Sequence, residues 1–371
     1  MKKFYPVSEP SIGSLEQKYV EEATNSGWVS SLGAFIQTFE EKLTKLSGKK
    51  LCLSSSNGTT ALHLALLASN VTDNDEVIVT DWTFVAPINA VLYCGATPVL
   101  APVEKNTGMP NVSSIMERIT AKTKAVIIVH PYGKVFPVPD LVNLMPDNIR
   151  IIEDCAEAHG AKYKNGGLVG SASYISTFSF YGNKIVTTGE GGAICTNCNQ
   201  AYDLVKELRD HAMSPNNRYY HEKLGFNYRM TNMQAALGCA QLERMDEMLL
   251  QRDTILAWYV TAFTGHNRIR FLIDYEGVTS VNWLTTVFVS GLTRVSIEKI
   301  SSLLLDEGIQ TRPVFYSASS FPYLQETSKT THSGYSKLLS DEGISLPTYL
   351  SLKQEDVEFI VKKFIKVLDV M

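Results

Sequence analysis

The most regular feature of the chain is a set of short, unbroken apolar runs separated by longer helical patterns. Val77-Ile78-Val79 lies in a run over 75–80, Ala125-Val126-Ile127-Ile128-Val129 in a run over 124–130, and Ile151-Ile152 in a run over 150–154. Near-continuous valine and isoleucine over these lengths predict strands buried on both faces, as in a parallel sheet covered by helices. Between them lie helical patterns such as Ala61-Leu62-His63-Leu64-Ala65-Leu66-Leu67-Ala68. The alternation predicts an α/β domain with a doubly wound, mainly parallel sheet. Polar residues recur where the runs end, at Asp81, His130 and Asp154. Open sheets of this kind bind ligands beyond the carboxyl ends of their strands, so these three are expected at one shared site.

Beyond about residue 235 the texture changes. A helix is expected from Thr231 to Leu250, a strand at Val287-Phe288-Val289-Ser290, a helix over 296–306 and an amphipathic helix from Gln354 to Leu368. This reads as a smaller α+β domain. A chain of 371 residues exceeds one simple core. The expected division is a large domain over 1–240 and a small C-terminal domain over 241–371.

Composition narrows the function classes. Apolar residues make up 44% and charged residues 19%, the balance of an ordinary globular protein. A net charge of −4 points to neither nucleic acid nor an anionic membrane as partner. Met1-Lys2-Lys3 is basic but leads into no continuous apolar stretch, and no run approaches the roughly 18 to 20 apolar residues that span a bilayer. A cytoplasmic location is the expectation. Cys52, Cys94, Cys155, Cys195, Cys198 and Cys239 are scattered rather than arranged as a disulfide framework. Cys195 and Cys198 form a lone CxxC without the second pair or nearby histidines of a zinc site, so two free thiols and no metal are expected.

Four segments carry candidate chemistry. Ser54-Ser55-Ser56-Asn57-Gly58-Thr59-Thr60 opens directly into an Ala/Leu-rich helix. Its first-turn N–H groups could seat a phosphate, or the segment could be an ordinary N-cap. Asp154 ends a buried strand and needs a cationic or hydrogen-bonding partner, either a protonated pyridine nitrogen or a helix cap. Lys184 lies in the aromatic, glycine-bounded stretch Phe178-Ser179-Phe180-Tyr181-Gly182-Asn183-Lys184. Burial among apolar groups would leave its amine neutral and able to condense with an aldehyde. Asp81-Trp82-Thr83-Phe84 follows a strand, and an aromatic there could lie on a heteroaromatic ring or pack in the core. Taken in order, a phosphate seat, an aromatic plate, a carboxylate and a lysine supply what pyridoxal 5'-phosphate (PLP) needs.

With these residues in view the chain resembles the DegT/DnrJ-type nucleotide-sugar aminotransferases, over nearly its whole length. The matching motifs are Gly27-Trp28-Val29-Ser30-Ser31, the turn at 56–59, Gly95-Ala96-Thr97-Pro98, His130 with Tyr132-Gly133, Glu153 to Gly160, and Phe178 to Gly192. Asn227 to Asn232, Arg312 to Tyr316 and Ser345-Leu346-Pro347 continue the match. The resemblance implies the aspartate-aminotransferase fold, fold type I of the PLP enzymes. It implies that Lys184 binds the cofactor aldehyde and carries the proton, and that Asp154 pairs with the pyridine nitrogen. Glu157 would lie near the ring hydroxyl, Phe84 would stack on the ring, and Gly58, Thr59 and Ser179 would hold the phosphate. Asn227 would reach the phosphate of a second subunit, making a homodimer with composite active sites. Trp28, Ser30, His221, Arg312 and Tyr316 are the positions it suggests for substrate.

Family members that eliminate a hydroxyl carry histidine where this chain has Lys184, so transamination is implied. Glutamate is the implied donor and a nucleotide-linked keto sugar the acceptor. Tyr219-Tyr220-His221, Gly225 to Asn232 and Thr311 to Tyr316 follow the branch that acts on GDP-4-keto-6-deoxymannose and serves surface polysaccharide (O-antigen) synthesis. A UDP- or dTDP-linked keto sugar, or a non-catalytic PLP-binding regulator, are the alternatives. The chain departs from the family pattern chiefly at Ser317-Ala318-Ser319, where relatives have proline, an apolar residue and histidine. That segment is expected near the sugar-nucleotide end.

Overall fold

The computed structural model describes residues 3–324 and 334–371. Seven strands form one sheet: β1 (Leu51–Ser55), β2 (Glu76–Thr80), β3 (Thr97–Ala101), β4 (Thr123–Val129), β5 (Arg150–Asp154), β6 (Ile175–Ser179) and β7 (Gly192–Thr196). Their order across the sheet is β1-β7-β6-β5-β4-β2-β3. The pairs from β6 through β3 are parallel, as the valine and isoleucine runs predicted. Val126, Ile127, Ile152 and Val79 are all buried, with helices on the two faces.

The sheet is not parallel throughout. β7 runs antiparallel to both of its neighbours, β6 and β1. This reversal builds the functional edge. Ser179 at the end of β6 and Ser55 at the end of β1 both pair with Gly192 at the start of β7. The carboxyl ends of β1, β5 and β6 therefore meet the loop 180–191 at one edge.

A second, antiparallel sheet has the order β10-β11-β9-β8, from β8 (Ile269–Arg270), β9 (Thr286–Val289), β10 (Arg312–Pro313) and β11 (Gly343–Ser345). Helices Met245–Ala262, Arg294–Asp306 and Gln354–Leu368 cover it, burying Ile255, Ile300, Val287, Ile344 and Phe364 in a core of their own. The last helix has the predicted bounds. The helix expected over 231–250 is instead two, Asn232–Glu243 and Met245–Ala262. They break at Arg244 (φ −101°, ψ 3°), whose guanidinium is drawn 2.7 Å from the buried Glu16 carboxylate. A tertiary ion pair here overrides a continuous helical pattern. All six cysteines are free thiols. Among the described residues no helix is long and apolar enough to cross a membrane.

Candidate active site

The turn after β1 is organised by its own side chains. Asn57 caps the helix Gly58–Ala68, its side-chain oxygen accepting the Thr60 N–H at 2.9 Å. Gly58 and Thr59 fall in the first turn, where N–H groups have no intrahelical acceptor. Gly58 is required by space: a Cβ there would sit 2.8 Å from the Cβ of Ser179. The two strands thus bring free amide groups and the hydroxyls of Thr59 and Ser179 together at the positive end of an 11-residue helix. Such an arrangement has the donors and charge to hold a phosphate dianion.

Asp154 ends β5 at the same edge and is 6% exposed. Among the described residues its carboxylate accepts one hydrogen bond, from the Ala156 N–H at 3.1 Å. Burial pushes its carboxyl up to about 6, against the pull of that amide and of the Lys184 charge. Lys184 sits in the loop between β6 and β7, its Nζ 3.1 Å from Glu157 Oε1. The other Glu157 oxygen accepts the Tyr132 backbone N–H at 2.7 Å. The ammonium also lies 4.0 Å over the ring of Trp283, whose indole N–H donates to the Asn183 carbonyl at 2.7 Å. The expected apolar setting for Lys184 is therefore corrected: it has an acidic partner and an aromatic floor. His159, buried against Phe178 and Phe180, is pushed down to about 3 by burial and by Lys184.

These groups line one cavity of about 930 Å³, together with Phe84, Tyr93, Tyr181, Glu190, Tyr228, Arg312 and Phe315. The volume suits a cofactor with part of a substrate. Phe84 is exposed on the cavity wall, its ring 5.7 Å from that of Phe315.

Of the positions named from sequence, Gly58, Thr59, Phe84, Asp154, Glu157, Ser179, Lys184 and Arg312 come together there. Asn227, Trp28, Ser30, His221 and Tyr316 do not line this cavity. Asn227 is exposed and holds Arg229 at 3.1 Å, and the carbonyls of Trp28 and Ser30 bind Asn232. His221 meets the His211 carbonyl at 2.8 Å, while Tyr316 turns toward Glu298 and Arg294.

The three strand-end residues expected at one site also separate. Only Asp154 faces the cavity. His130 is buried and accepts the Phe136 N–H, and Asp81 is buried and bound by serines. Those serines are Ser317 and Ser319, so the departing segment is an internal clamp rather than a cavity wall. Trp283 and the Tyr132 N–H were absent from the sequence reading. Trp283 lies about a hundred residues beyond Lys184 in a segment without a motif, and a backbone donor leaves no mark in residue type.

Comparison with known proteins closes the question of family. The DegT/DnrJ/EryC1/StrS aminotransferase family matches residues 10–365. The chain belongs to that family. An Escherichia coli O157:H7 relative, GDP-perosamine synthase, is 40% identical over 96% of this chain and 97% of its own. A Vibrio cholerae protein of the same name is 37% identical over 96% of each chain. Among solved structures, Spr1654 of Streptococcus pneumoniae in its PLP form superposes with a TM-score of 0.92 at 26% identity, covering 99% of both chains. As a DegT/DnrJ/EryC1/StrS aminotransferase the chain uses PLP, and its donor set fits that cofactor. The anion seat matches the phosphate. The under-bonded Asp154 matches a protonated pyridine nitrogen, and Lys184 is the amine within the same cavity.

Proposed function

We propose that the protein transfers the amino group of glutamate to C4 of GDP-4-keto-6-deoxymannose, giving GDP-perosamine for a surface polysaccharide. The observation that carries this reading is the convergence of Lys184, Asp154, Glu157 and the 58–59 cradle on one cavity, in a chain 40% identical to a GDP-perosamine synthase over nearly full length.

When bound, PLP supplies an aldehyde that takes up an amine and a ring that draws electrons from the adjacent carbon. The amides of Gly58 and Thr59 and the hydroxyls of Thr59 and Ser179 would hold the phosphate. Asp154 would keep the ring nitrogen protonated, and a cation beside it would in turn restore its ionised form. Phe84 would cover one ring face. Glu157, fixed by the Tyr132 N–H, would orient Lys184 and meet the ring hydroxyl. Lys184 would move a proton to and from the substrate carbon at its Nζ.

Asn227 is exposed outside its own cavity, the placement expected of a residue lent to a partner's phosphate. Trp28, Ser30 and His221 are likewise exposed and could complete a neighbouring acceptor site in a homodimer. Arg312 also lines this chain's own cavity, where its guanidinium would face the nucleotide phosphates. The cytoplasm, where glutamate and nucleotide-linked sugars are present, is the setting for such a reaction.

The test is incubation of purified protein with glutamate and GDP-, UDP- and dTDP-linked 4-keto sugars, with products read by mass. GDP-perosamine formed in preference to the others is the expected result. Preference for a UDP- or dTDP-linked sugar would replace the acceptor assignment, and no amination of any of them would refute the function.

A further inference from the structure

Asp81 follows β2 at the edge that carries the active site, is fully buried, and among the described residues has no cation against its carboxylate. Three donors from one short segment hold it, the hydroxyls of Ser317 and Ser319 and the Ser319 N–H. Ser317 Oγ lies 3.0 Å from both carboxylate oxygens. The Ser319 N–H donates at 2.8 Å, and Ser319 Oγ lies at 3.2 Å. The backbones are joined as well: the Ala318 N–H donates to the Asp81 carbonyl at 2.7 Å. One residue on, the Trp82 indole N–H donates to the Phe315 carbonyl at 3.1 Å, while the Phe315 N–H donates to Tyr132 Oη at 3.3 Å. The segment 312–319 is thereby stitched to the segment 81–84.

Neither serine lines the cavity, but both segments do so close by. Arg312, Pro313 and Phe315 come from one, Thr83 and Phe84 from the other. The rings of Phe84 and Phe315 face each other at 5.7 Å. The clamp therefore fixes the relative position of two walls of the cavity without touching its contents.

We propose that Asp81, Ser317 and Ser319 are positioning residues that set the acceptor-side wall and so govern recognition of the nucleotide sugar. The inference deepens the proposed function and rests on it. Loss of hydroxyl donors to a buried carboxylate loosens the segment bearing Arg312 and Phe315. The phosphate cradle, Asp154 and Lys184 stand on β1, β5 and the loop after β6, apart from the clamp, and the 81–84 segment that bears Phe84 is also tied to β3 by the Asp81 N–H, which donates to the Ala101 carbonyl at 2.8 Å.

The test compares wild type with Ser317→Ala/Ser319→Ala. The readouts are thermal midpoint, KM and kcat for GDP-4-keto-6-deoxymannose, and the rate at which glutamate alone converts the bound cofactor. The expected result is a KM raised about tenfold, with kcat and the glutamate half-reaction within about twofold of wild type. Ser317→Thr/Ser319→Ala, which keeps one hydroxyl, should recover part of the KM. An unchanged KM, or both half-reactions falling together with the thermal midpoint, would overturn the proposal. If the double variant does not fold, the two single variants carry the same comparison.

Binding of GDP-mannose, which has the nucleotide and sugar but no ketone, separates this inference from the functional reading. A Kd raised about tenfold in the variant supports the clamp even if wild type aminates no keto sugar. An unchanged Kd overturns it even if wild type does.

Discussion

Asp81 and Asp154 stand at the carboxyl ends of parallel strands in the same sheet, and both are buried, yet their surroundings are opposite. Asp81 faces three donors, the hydroxyls of Ser317 and Ser319 and the Ser319 N–H. Asp154 receives one, from Ala156, and burial pushes its carboxyl up to about 6. A buried charge costs several kcal/mol unless its lone pairs are met. At Asp81 the protein meets them itself, and the residue joins two segments. At Asp154 the protein meets only one of them, through the Ala156 N–H, and in the proposed function a cation from outside would relieve the remaining cost. On the proposed function, two aspartates that look alike in sequence serve as a joint and a receptor.

The largest expected effect lies at the receptor end. Lys184→Ala should remove the imine absorbance of the cofactor-loaded protein and all measurable transfer, because among the described residues no other lysine lines the cavity. Its unliganded stability should fall by about 3 kcal/mol, since the nearly buried Glu157 carboxylate loses its cation and Trp283 loses the ammonium over its ring. Transfer at the wild-type rate would refute the lysine's role. Asp154→Asn should keep some cofactor but lose roughly 10²- to 10³-fold in kcat, because an amide cannot hold the ring nitrogen's proton. Full activity in that variant would remove the distinction between the two aspartates.

A stability measurement sharpens the comparison further. A carboxyl raised from 3.8 to about 6 contributes stability that is fully present below 3.8 and is lost as pH rises through about 6. At pH 7.5 the unliganded fold therefore carries the full cost of ionised Asp154. Asp154→Asn should stabilise the cofactor-free protein there by about 3 kcal/mol, and the gain should shrink to nothing near pH 4. Asp81→Asn should do the reverse and destabilise by about 2 kcal/mol, since an amide nitrogen would face serine and backbone donors. His159, pushed down to about 3, acts oppositely over the same range: its stability is present above 6.5 and lost as pH falls. The difference between variant and wild type is therefore the quantity to read, because His159 cancels in it. Denaturant titrations at pH 4, 6 and 7.5 would measure it, and destabilisation by Asp154→Asn at pH 7.5 would contradict the account.

The asymmetry between the two aspartates also explains what the sequence could convey. The parallel strands were legible because burial on both faces leaves unbroken runs such as Ala125 to Val129. The cradle at Gly58 and Thr59 and the loop bearing Lys184 were legible because local chemistry and the family resemblance mark them. The antiparallel entry of β7 was not, because Gly192–Thr196 has the same apolar texture in either direction. Nor was the split of Asp81 from Asp154. The serines that satisfy Asp81 lie 236 and 238 residues away, and only the fold brings them to it. Ser317-Ala318-Ser319 was visible as a departure from the family pattern, but its partner was not. Trp283 beneath Lys184 was missed for the same reason.

Asn227 offers the smallest effect and extends the comparison to a group that this chain does not place in its own cavity. If it serves a partner's phosphate, Asn227→Ala should weaken cofactor retention by about tenfold, the loss of one hydrogen bond to a charged group. Cofactor release followed by absorbance during dialysis would report it. Complementation then decides where the residue acts. In a mixed dimer of Lys184→Ala and Asn227→Ala chains, the chain that keeps Lys184 would receive its Asn227 from the other subunit. That site would be intact, while its counterpart would lack both groups. Equal mixing after dissociation should place about a quarter of all sites in the intact state, with cofactor affinity and transfer to match. If retention in the mixture equals the plain average of the two separate variants, Asn227 acts within its own chain or not at all. The composite site would then be wrong while the Asp154 receptor stands.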